Sequence, residues 1–296
     1  MKELSIIIVN FNTKQILKDC LESVYKHLTD IDFEIIVVDN NSQDESVLMI
    51  KKEFTEINII ANNRNIGFGP ANNQGIEVAQ GKYILFLNND TYIFDNSIQK
   101  MIKYLAENSE YGVVGPQLLN KDRSIQLSAS QIFPSLYTEL LRNFLLDRII
   151  LNRLFQDRDY FGRYQLSPNQ HKKSREVSFV SGACFLVKRK VIEKTKGFDK
   201  RFFFYQEEID WMKRIHEAGW KIYFLSDAKI VHLGGVATES SMKNTKRFDY
   251  QIVSRYKYFV IHYGVMYSVG IRIIDIIGSI FFFNYIDYWM AVNAFE

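Results

Sequence analysis

Continuous apolar runs alternate with amphipathic stretches over the first hundred residues. "LSIIIVN" (4–10), "FEIIVVDN" (33–40), "INIIA" (57–61) and "KYILFLNND" (82–90) read as four buried strands. Thr13 is placed to cap a helix whose apolar residues Ile16, Leu17, Cys20, Leu21 and Val24 recur at helical spacing. Ser42 reads as the start of a second helix running through Phe54. Pro70 suits the first turn of a third, which Gly81 closes. Buried strands separated by amphipathic helices predict a parallel sheet covered on both faces. After residue 110 the pattern loosens into an α+β region containing "VVGPQLL", "SIQLSASQIF" and "VSFVSGACFLVKR" (177–189). A short helix ending near Gly197, a carboxylate-rich helix over 207–218 and the apolar run "WKIYFLSDAKIVHLGG" (220–235) follow, and 236–296 reads as a helical extension.

Polar residues fall at the ends of these strands. Asn10 and Asn12 close the first, Asp39 and Asn40 the second, and Asp90 the fourth. Asn and Asp are common turn formers, so each taken singly has a local explanation. Together they mark the crevice beyond the carboxyl ends of an α/β sheet, where ligands bind. A dinucleotide-binding turn is excluded, because "VNFNTKQ" after the first strand has no glycine. "GFGPANNQG" (67–75) follows the third strand and lacks the Lys-Ser/Thr of a phosphate loop, so its glycines read as a loop needing positive φ.

Composition changes this picture little. The chain has 296 residues, 15% aromatic, with 4 Pro and a formal net charge of +3, which gives no reason to expect nucleic acid as a partner. Basicity is local: Arg142 to Arg175 holds eight Lys or Arg against three Asp. Cys20 and Cys184 sit in apolar surroundings, far apart, as buried thiols rather than a disulfide or metal pair. "SIIIV" is too short for a secretory signal, and Arg272 and Asp275 interrupt the apolar run near the C-terminus, so a cytoplasmic protein is the default expectation.

The candidate chemistry is a divalent cation beside a carboxylate. Asp90 ends an apolar strand where it could meet Mg2+ or Mn2+, and His232, in "KIVHLGGV", is the candidate second ligand. The aromatic run "RFFFY" leads into Glu207, Glu208 and Asp210. On a helical projection Trp211, Met212, Ile215 and Ala218 share one side, and Glu208 falls within it. Asp210 projects to the face of Lys213, Arg214 and Glu217, as a solvated or salt-bridged residue, and Glu207 lies at the margin near Arg214. All three stand near the helix N-terminus, where Glu208 could serve as a general base.

Seven motifs in order, "SIIIVNFNT", "EIIVVDNNSQDES", "NRNIGFGPANNQGI", "YILFLNNDT", "SGACFLVKR", "GFDKRFFFYQEEIDW" and "VHLGG", give the chain its family resemblance. It resembles the inverting glycosyltransferases of family 2, with a GT-A type fold, and within them the bacterial rhamnosyltransferase-like branch that builds cell-surface polysaccharides. The resemblance implies a doubly wound, mostly parallel α/β sheet with an α+β acceptor half. It divides the chain into a nucleotide-sugar-binding half (1–95), an acceptor-binding and catalytic half (96–235) and the C-terminal extension (236–296). Val9, Phe11 and Asn12 would line the nucleobase pocket, Asp39 would contact base or ribose, and Arg64 would approach the nucleotide from the loop before Gly67. Asn88, Asn89 and Asp90 stand where the family has its Asp-x-Asp motif, with Asp90 and His232 on Mn2+ or Mg2+; Ser181 and Gly182 would shape the wall between donor sugar and acceptor. Glu207-Glu208 matches the family's Glu-Asp pair, whose second member is the catalytic base. Two departures are Asn88 in place of the first Asp and Glu208 in place of Asp.

The implied reaction is transfer of a sugar from dTDP-rhamnose, or else a UDP-hexose, to a hydroxyl of a lipid-linked or oligosaccharide acceptor. The enzyme would work as a metal-dependent cytoplasmic protein at the inner face of the membrane, and a homodimer is a further expectation. The basic, apolar segment 136–158, with Leu140, Leu141, Phe144, Leu145 and Ile149 at helical spacing, and "KNTKRFDYQIVSRYKYFVIHYG" read equally as packed helices or as surfaces for an anionic leaflet. The competing classes are a non-catalytic sugar-nucleotide-binding scaffold, which Asn88 favours, and a nucleotidyltransferase, which the glycine-free first turn opposes.

Overall fold

The structure, a computed structural model, describes residues 2–143, 166, 168–234 and 244–282. Residues 144–158 of the basic, apolar segment lie outside the described residues, as do 235–243.

The four apolar runs form parallel strands β1 (Leu4–Asn10), β2 (Phe33–Asp39), β3 (Asn58–Ala61) and β4 (Tyr83–Leu87), in the order β3-β2-β1-β4. Three helices cross between them: α1 (Lys14–His27), α2 (Ser46–Glu53) and α3 (Phe68–Val78). Beyond β4 come β5 (Thr91–Tyr92), α4 (Ser97–Glu107) and the long strand β6 (Tyr111–Leu119). β7 (Ala129–Ser130), α5 (Leu136–Asn143), β8 (Arg175–Val177) and β9 (Phe179–Val180) precede β10 (Cys184–Lys188), α6 (Arg189–Thr195), α7 (Glu207–Glu217) and β11 (Lys221–His232). The helices α8 (Asn244–Tyr263) and α9 (Val265–Phe282) follow.

The main sheet continues from β4 through β10, β6 and β11 to β5, with β8 also paired to β11. β10 runs antiparallel to β4 and β6, which turns the parallel half into a mixed sheet. Side chains alternate across each strand, so the sheet has an apolar layer on both faces. One layer holds Leu17, Leu21, Ile98 and Met101; the other holds Phe86, Phe185, Trp211 and Ile215. Phe86 stacks on Phe185 with ring centroids 4.8 Å apart and meets Trp211 edge-on at 5.4 Å.

Local signals misplaced some helix starts. Thr13 precedes α1 but donates its hydroxyl to Asn10 Oδ1 (2.7 Å), and the helix start is bound instead by Asp44 Oδ2, which accepts from Lys14 N (2.7 Å). Ser42 does not open α2; its N–H and hydroxyl donate to Asp39, and Asp44 receives Ser46 at the true start. α3 carries Pro70 in its first turn and stops at Val78, short of Gly81. Cys20 and Cys184 are both buried, and burial pushes the Cys20 thiol up to about 12.

Two pairings decide the position of the site. β5 pairs antiparallel with the end of β11, setting His232 opposite Thr91, and Leu233 N donates to Asp90 O (2.9 Å). A residue near position 90 and one near 232 are thereby held side by side. α8 sends Tyr256, Tyr258 and Phe259 into the same core layer as Trp211, so it packs on the main sheet assembly. Among the described residues, no helix is long and apolar enough to cross a membrane.

Candidate active site

A cavity of about 410 Å³ opens where β1, β4 and β11 end and α7 begins. Val9 and Phe11 line it from the end of β1, and Asn88, Asn89 and Asp90 from the end of β4. Ser181 and Gly182 precede β10, Glu207 and Glu208 open α7, and Gly67 and His232 complete the set expected from the sequence.

Asn12, Asp39 and Arg64 do not line it. Asp39 is buried; its oxygens accept from Asn10 Nδ2 (2.9 Å) and from the N–H (2.8 Å) and hydroxyl (2.6 Å) of Ser42. The same network reaches Asn89, whose amide donates to Asn10 Oδ1 (3.1 Å) and Thr13 Oγ1 (2.6 Å). Asp39 and Asn89 therefore brace the strand ends. Asn12, left-handed at φ 54°, accepts from Gln43 N (2.7 Å), and Arg64 is exposed.

Asp90 and His232 meet at one end of the cavity. His232 Nε2 lies 3.3 Å from Asp90 Oδ1, and this buried oxygen accepts no hydrogen bond. The Oδ1 of Asn88 is likewise buried without a partner. Unsatisfied buried oxygens are costly, and a bound cation or donor would satisfy them. The pair thus fits a hard divalent cation. Among the described residues, no group of three or more His, Cys, Asp or Glu is placed to hold a metal ion, so other ligands would come from substrate or water.

The aromatic run before α7 forms another wall. Phe203, Phe204 and Tyr205 all line the cavity, beside Phe68 from α3. Tyr205 and Gln206 are both left-handed, at φ 68° and 69°, a conformation costing roughly 1–3 kcal/mol per residue. Tethers hold it: Phe203 O accepts from Phe68 N (2.9 Å), Phe204 O accepts from Ser254 Oγ (2.8 Å), and Phe203 stacks on Tyr250 at 4.8 Å. Gly67, at φ +92°, admits this contact, because a Cβ there would stand 2.4 Å from Phe203 O.

The strained turn delivers Glu207 and Glu208 into the first turn of α7, each with an unpartnered Oε2. Burial raises both carboxyls, Glu207 well above the ordinary value, with repulsion from Glu208 adding to it. For Glu208 the backbone N–H groups of Glu208, Ile209 and Gly182 oppose the rise by favouring the ionised form. The environments thus split the pair. Glu207 is the carboxyl pushed up further; Glu208, half-buried on the cavity wall and favoured in its ionised form by three backbone N–H groups, is the better base.

The helical projection placed two carboxylates wrongly. Asp210 is not solvated but fully buried, bound by Arg214 through Nε (2.9 Å) and Nη2 (2.7 Å) and by His262 Nε2 (2.9 Å). Glu207 is not beside Arg214, whose remaining donors go to the carbonyls of Thr195 and Gly197; it packs near Gly69. α8 covers the face that the projection left to solvent.

The family model described as Glycosyl transferase family 2 matches residues 5–196. The chain belongs to this family. An N-acetylglucosaminyl-diphospho-decaprenol L-rhamnosyltransferase of Mycobacterium tuberculosis is 25% identical over 212 residues, 67% of this chain and 66% of that protein, just under two thirds of its length. A mannosyltransferase from Pyrobaculum calidifontis, solved with GDP-Man and Mn2+, superposes with a TM-score of 0.57 at 14% identity over 99% of this chain and 74% of that one. GalNAc-T7 with UDP, GalNAc and Mn2+ gives 0.56 at 15% identity over 78% and 43%. These likenesses place this family 2 chain in the GT-A type fold. The family match ends before α7 and β11, so Glu207, Glu208 and His232 rest on geometry.

The cavity also uses residues that the sequence reading of this family 2 chain did not assign. Asn40 donates to Gly67 O (3.2 Å), and Asn65 Oδ1 accepts from Gly67 N (2.9 Å), shaping the loop that carries Phe68. Phe203, Phe204 and Tyr205 were visible as an aromatic run beside carboxylates, a signal that could have been followed. Gln126, which contacts His232, has no signal in its own stretch.

The raised pKa of Glu207 predicts a pH-dependent stability. A carboxyl raised in the folded state contributes stability fully below its unfolded pKa, and this is lost as pH rises through the folded value. Glu207→Gln is expected to be more stable than wild type at pH 8, with the advantage shrinking toward pH 5. Urea midpoints at the two pH values read this; an advantage equal at both would contradict it.

Proposed function

We propose that this family 2 chain is an inverting, metal-dependent glycosyltransferase that moves a sugar from a nucleoside-diphosphate donor to an acceptor hydroxyl. The observation that carries the reading is one cavity holding both a base-competent Glu208 and the unsatisfied Asp90–His232 pair. Glu208 would take the acceptor proton as the hydroxyl attacks the anomeric carbon from the face opposite the diphosphate, which inverts configuration. The stronger upward push on Glu207 leaves Glu208 as the member of the pair that ionises more readily. A divalent Mn2+ or Mg2+ held by Asp90 and His232 would supply positive charge for the departing diphosphate. Phe203, Phe204 and Tyr205 offer apolar faces on which a sugar ring could rest.

The donor of first choice is dTDP-rhamnose, with a UDP-hexose second; likeness to a rhamnosyltransferase whose name carries a decaprenol-linked acceptor supports the first. By the same likeness the acceptor is a lipid-linked precursor of a cell-surface glycan, met at a membrane surface.

A thermal-shift panel of dTDP-rhamnose, UDP-glucose, UDP-galactose, UDP-N-acetylglucosamine and GDP-mannose, each with and without Mn2+ or Mg2+, tests the reading. The matched donor with metal should raise Tm by at least about 3 °C at saturating concentration. A shift that ignores metal would remove Asp90 and His232 from donor binding. No shift with any donor would count against the reading, and a shift without turnover would favour the non-catalytic sugar-nucleotide-binding scaffold.

A further inference from the structure

The short loop joining β6 to β7 carries a directed relay of side-chain hydrogen bonds that ends on His232. Backbone bonds hold the loop: Asn120 N donates to Ser124 O (2.9 Å), Arg123 N to Asn120 O (2.9 Å) and Gln126 N to Leu118 O (2.9 Å). Arg123 lies over the Phe94 ring, 4.0 Å from its centroid. The side-chain relay starts at Asp122. Bonds from the hydroxyl and N–H of Ser124 hold the Asp122 carboxyl below its ordinary value, so it is an acceptor only.

Each later link follows from the one before. Ser124 Oγ has one hydrogen and gives it to Asp122 Oδ1 (2.6 Å). It can then only accept from Asn120 Nδ2 (2.9 Å). Asn120 therefore turns Oδ1 toward Gln126, accepting from Gln126 Nε2 (3.0 Å). That leaves Gln126 Oε1 facing His232 Nδ1 at 2.7 Å, and a carbonyl oxygen requires a proton there. The neutral ring then has no hydrogen on Nε2, the nitrogen 3.3 Å from the unsatisfied Asp90 Oδ1. Reversing the two amides would take the Ser124 hydrogen away from Asp122. The Gln126 amide lies beside Gly234, where a Cβ would come within 3.2 Å of its Nε2.

We propose that Gln126, oriented by Asn120, is the positioning residue that keeps His232 in the Nδ1–H tautomer and so presents a bare Nε2 beside Asp90 to a divalent cation. The proposal rests on the metal reading above. It extends that site beyond its two direct ligands, since a ligating imidazole has its other ring nitrogen anchored by a hydrogen-bond acceptor. Gln126 touches neither substrate nor cation; its effect passes through the orientation and tautomer of His232.

The first measurement needs no metal. With 15N-histidine labelling, the His232 signal, assigned among the five histidines by its loss in His232→Ala, should show the Nδ1–H tautomer. A proton on Nε2 of the neutral ring would overturn the proposal. The second is Mn2+ affinity by electron paramagnetic resonance, with UDP and separately dTDP present. Gln126→Leu, which lacks an acceptor, should weaken Mn2+ about 10–100-fold, whereas Gln126→Glu, which keeps one, should remain within about threefold of wild type. Wild-type affinity in a folded Gln126→Leu would refute the role of Gln126; if that variant fails to fold, the wild-type tautomer and Gln126→Glu still decide. Asp90→Asn separates the two levels. Loss in Asp90→Asn with none in Gln126→Leu removes only the positioning role, and Mn2+ binding unchanged in Asp90→Asn removes the metal site with it.

Discussion

Glu208→Gln is expected to lower kcat by on the order of 10²–10⁴-fold while leaving nucleotide affinity close to wild type. The substitution keeps the shape of the side chain and removes only its capacity to accept a proton. The Oε2 that it alters is unpartnered on the cavity wall, so no structural hydrogen bond is lost there. The pH profile provides a second signature. Burial raises the Glu208 carboxyl above its ordinary value, and the base works only when ionised. Wild-type activity should therefore rise with pH through a pKa above the usual carboxylate range, and that acid limb should vanish in the residual activity of the variant. Steady-state rates with the matched donor, between pH 5 and 8, read both effects. A loss of less than about tenfold would assign the proton transfer to another group.

Arg214→Met is expected to cost roughly 3–5 kcal/mol of folding stability, the largest effect of any single substitution considered away from the cavity. Asp210 is 0% exposed and holds Arg214 through two bonds of 2.9 and 2.7 Å. Removing the guanidinium leaves that carboxylate in the core with His262 as its remaining side-chain partner among the described residues. It also frees the carbonyls of Thr195 and Gly197. Replacing Asp210 by Asn in the same chain should recover part of the loss, because the stranded charge goes with it. Urea denaturation of the three proteins measures this; a cost below about 1 kcal/mol for Arg214→Met would show the pair to be solvent-screened. Because α7 also carries Glu208, the variant should lose activity at a temperature lower than wild type in proportion to its stability.

The parallel half of the fold was legible because β1, β2 and β4 are buried on both faces and so must be continuously apolar. The polar residues at their ends were legible for the same reason, standing out where the apolar runs stop. Helix starts were less so. Asp44, not Thr13, receives the first amide of α1, through a contact between residues 14 and 44 that no local capping rule describes. The projection of α7 correctly gathered Trp211, Met212 and Ile215 on a buried side. It failed for Asp210 because a wheel assumes one wet face, and here α8 brings His262 against it. Asp39, at a strand end like Asp90, braces neighbouring loops instead of reaching the cavity, and the two carboxylates have the same local signature.

The sequence by itself determined the apolar periodicity, hence the layered α/β sheet, and the chemical types standing at the strand ends, since both depend on residues close together in the chain. Only the tertiary structure decided which of those groups meet. The pairing of β5 with β11 sets His232 opposite Thr91 and beside Asp90, and the β6–β7 loop supplies Gln126 to the far side of the same ring. The covering of α7 by α8 turns Asp210 into a core residue, while Glu208 on the same helix lines the cavity. These contacts join segments far apart in sequence. Their energies depend on register, burial and the direction of single hydrogen bonds, quantities that exist only once the chain has closed on itself.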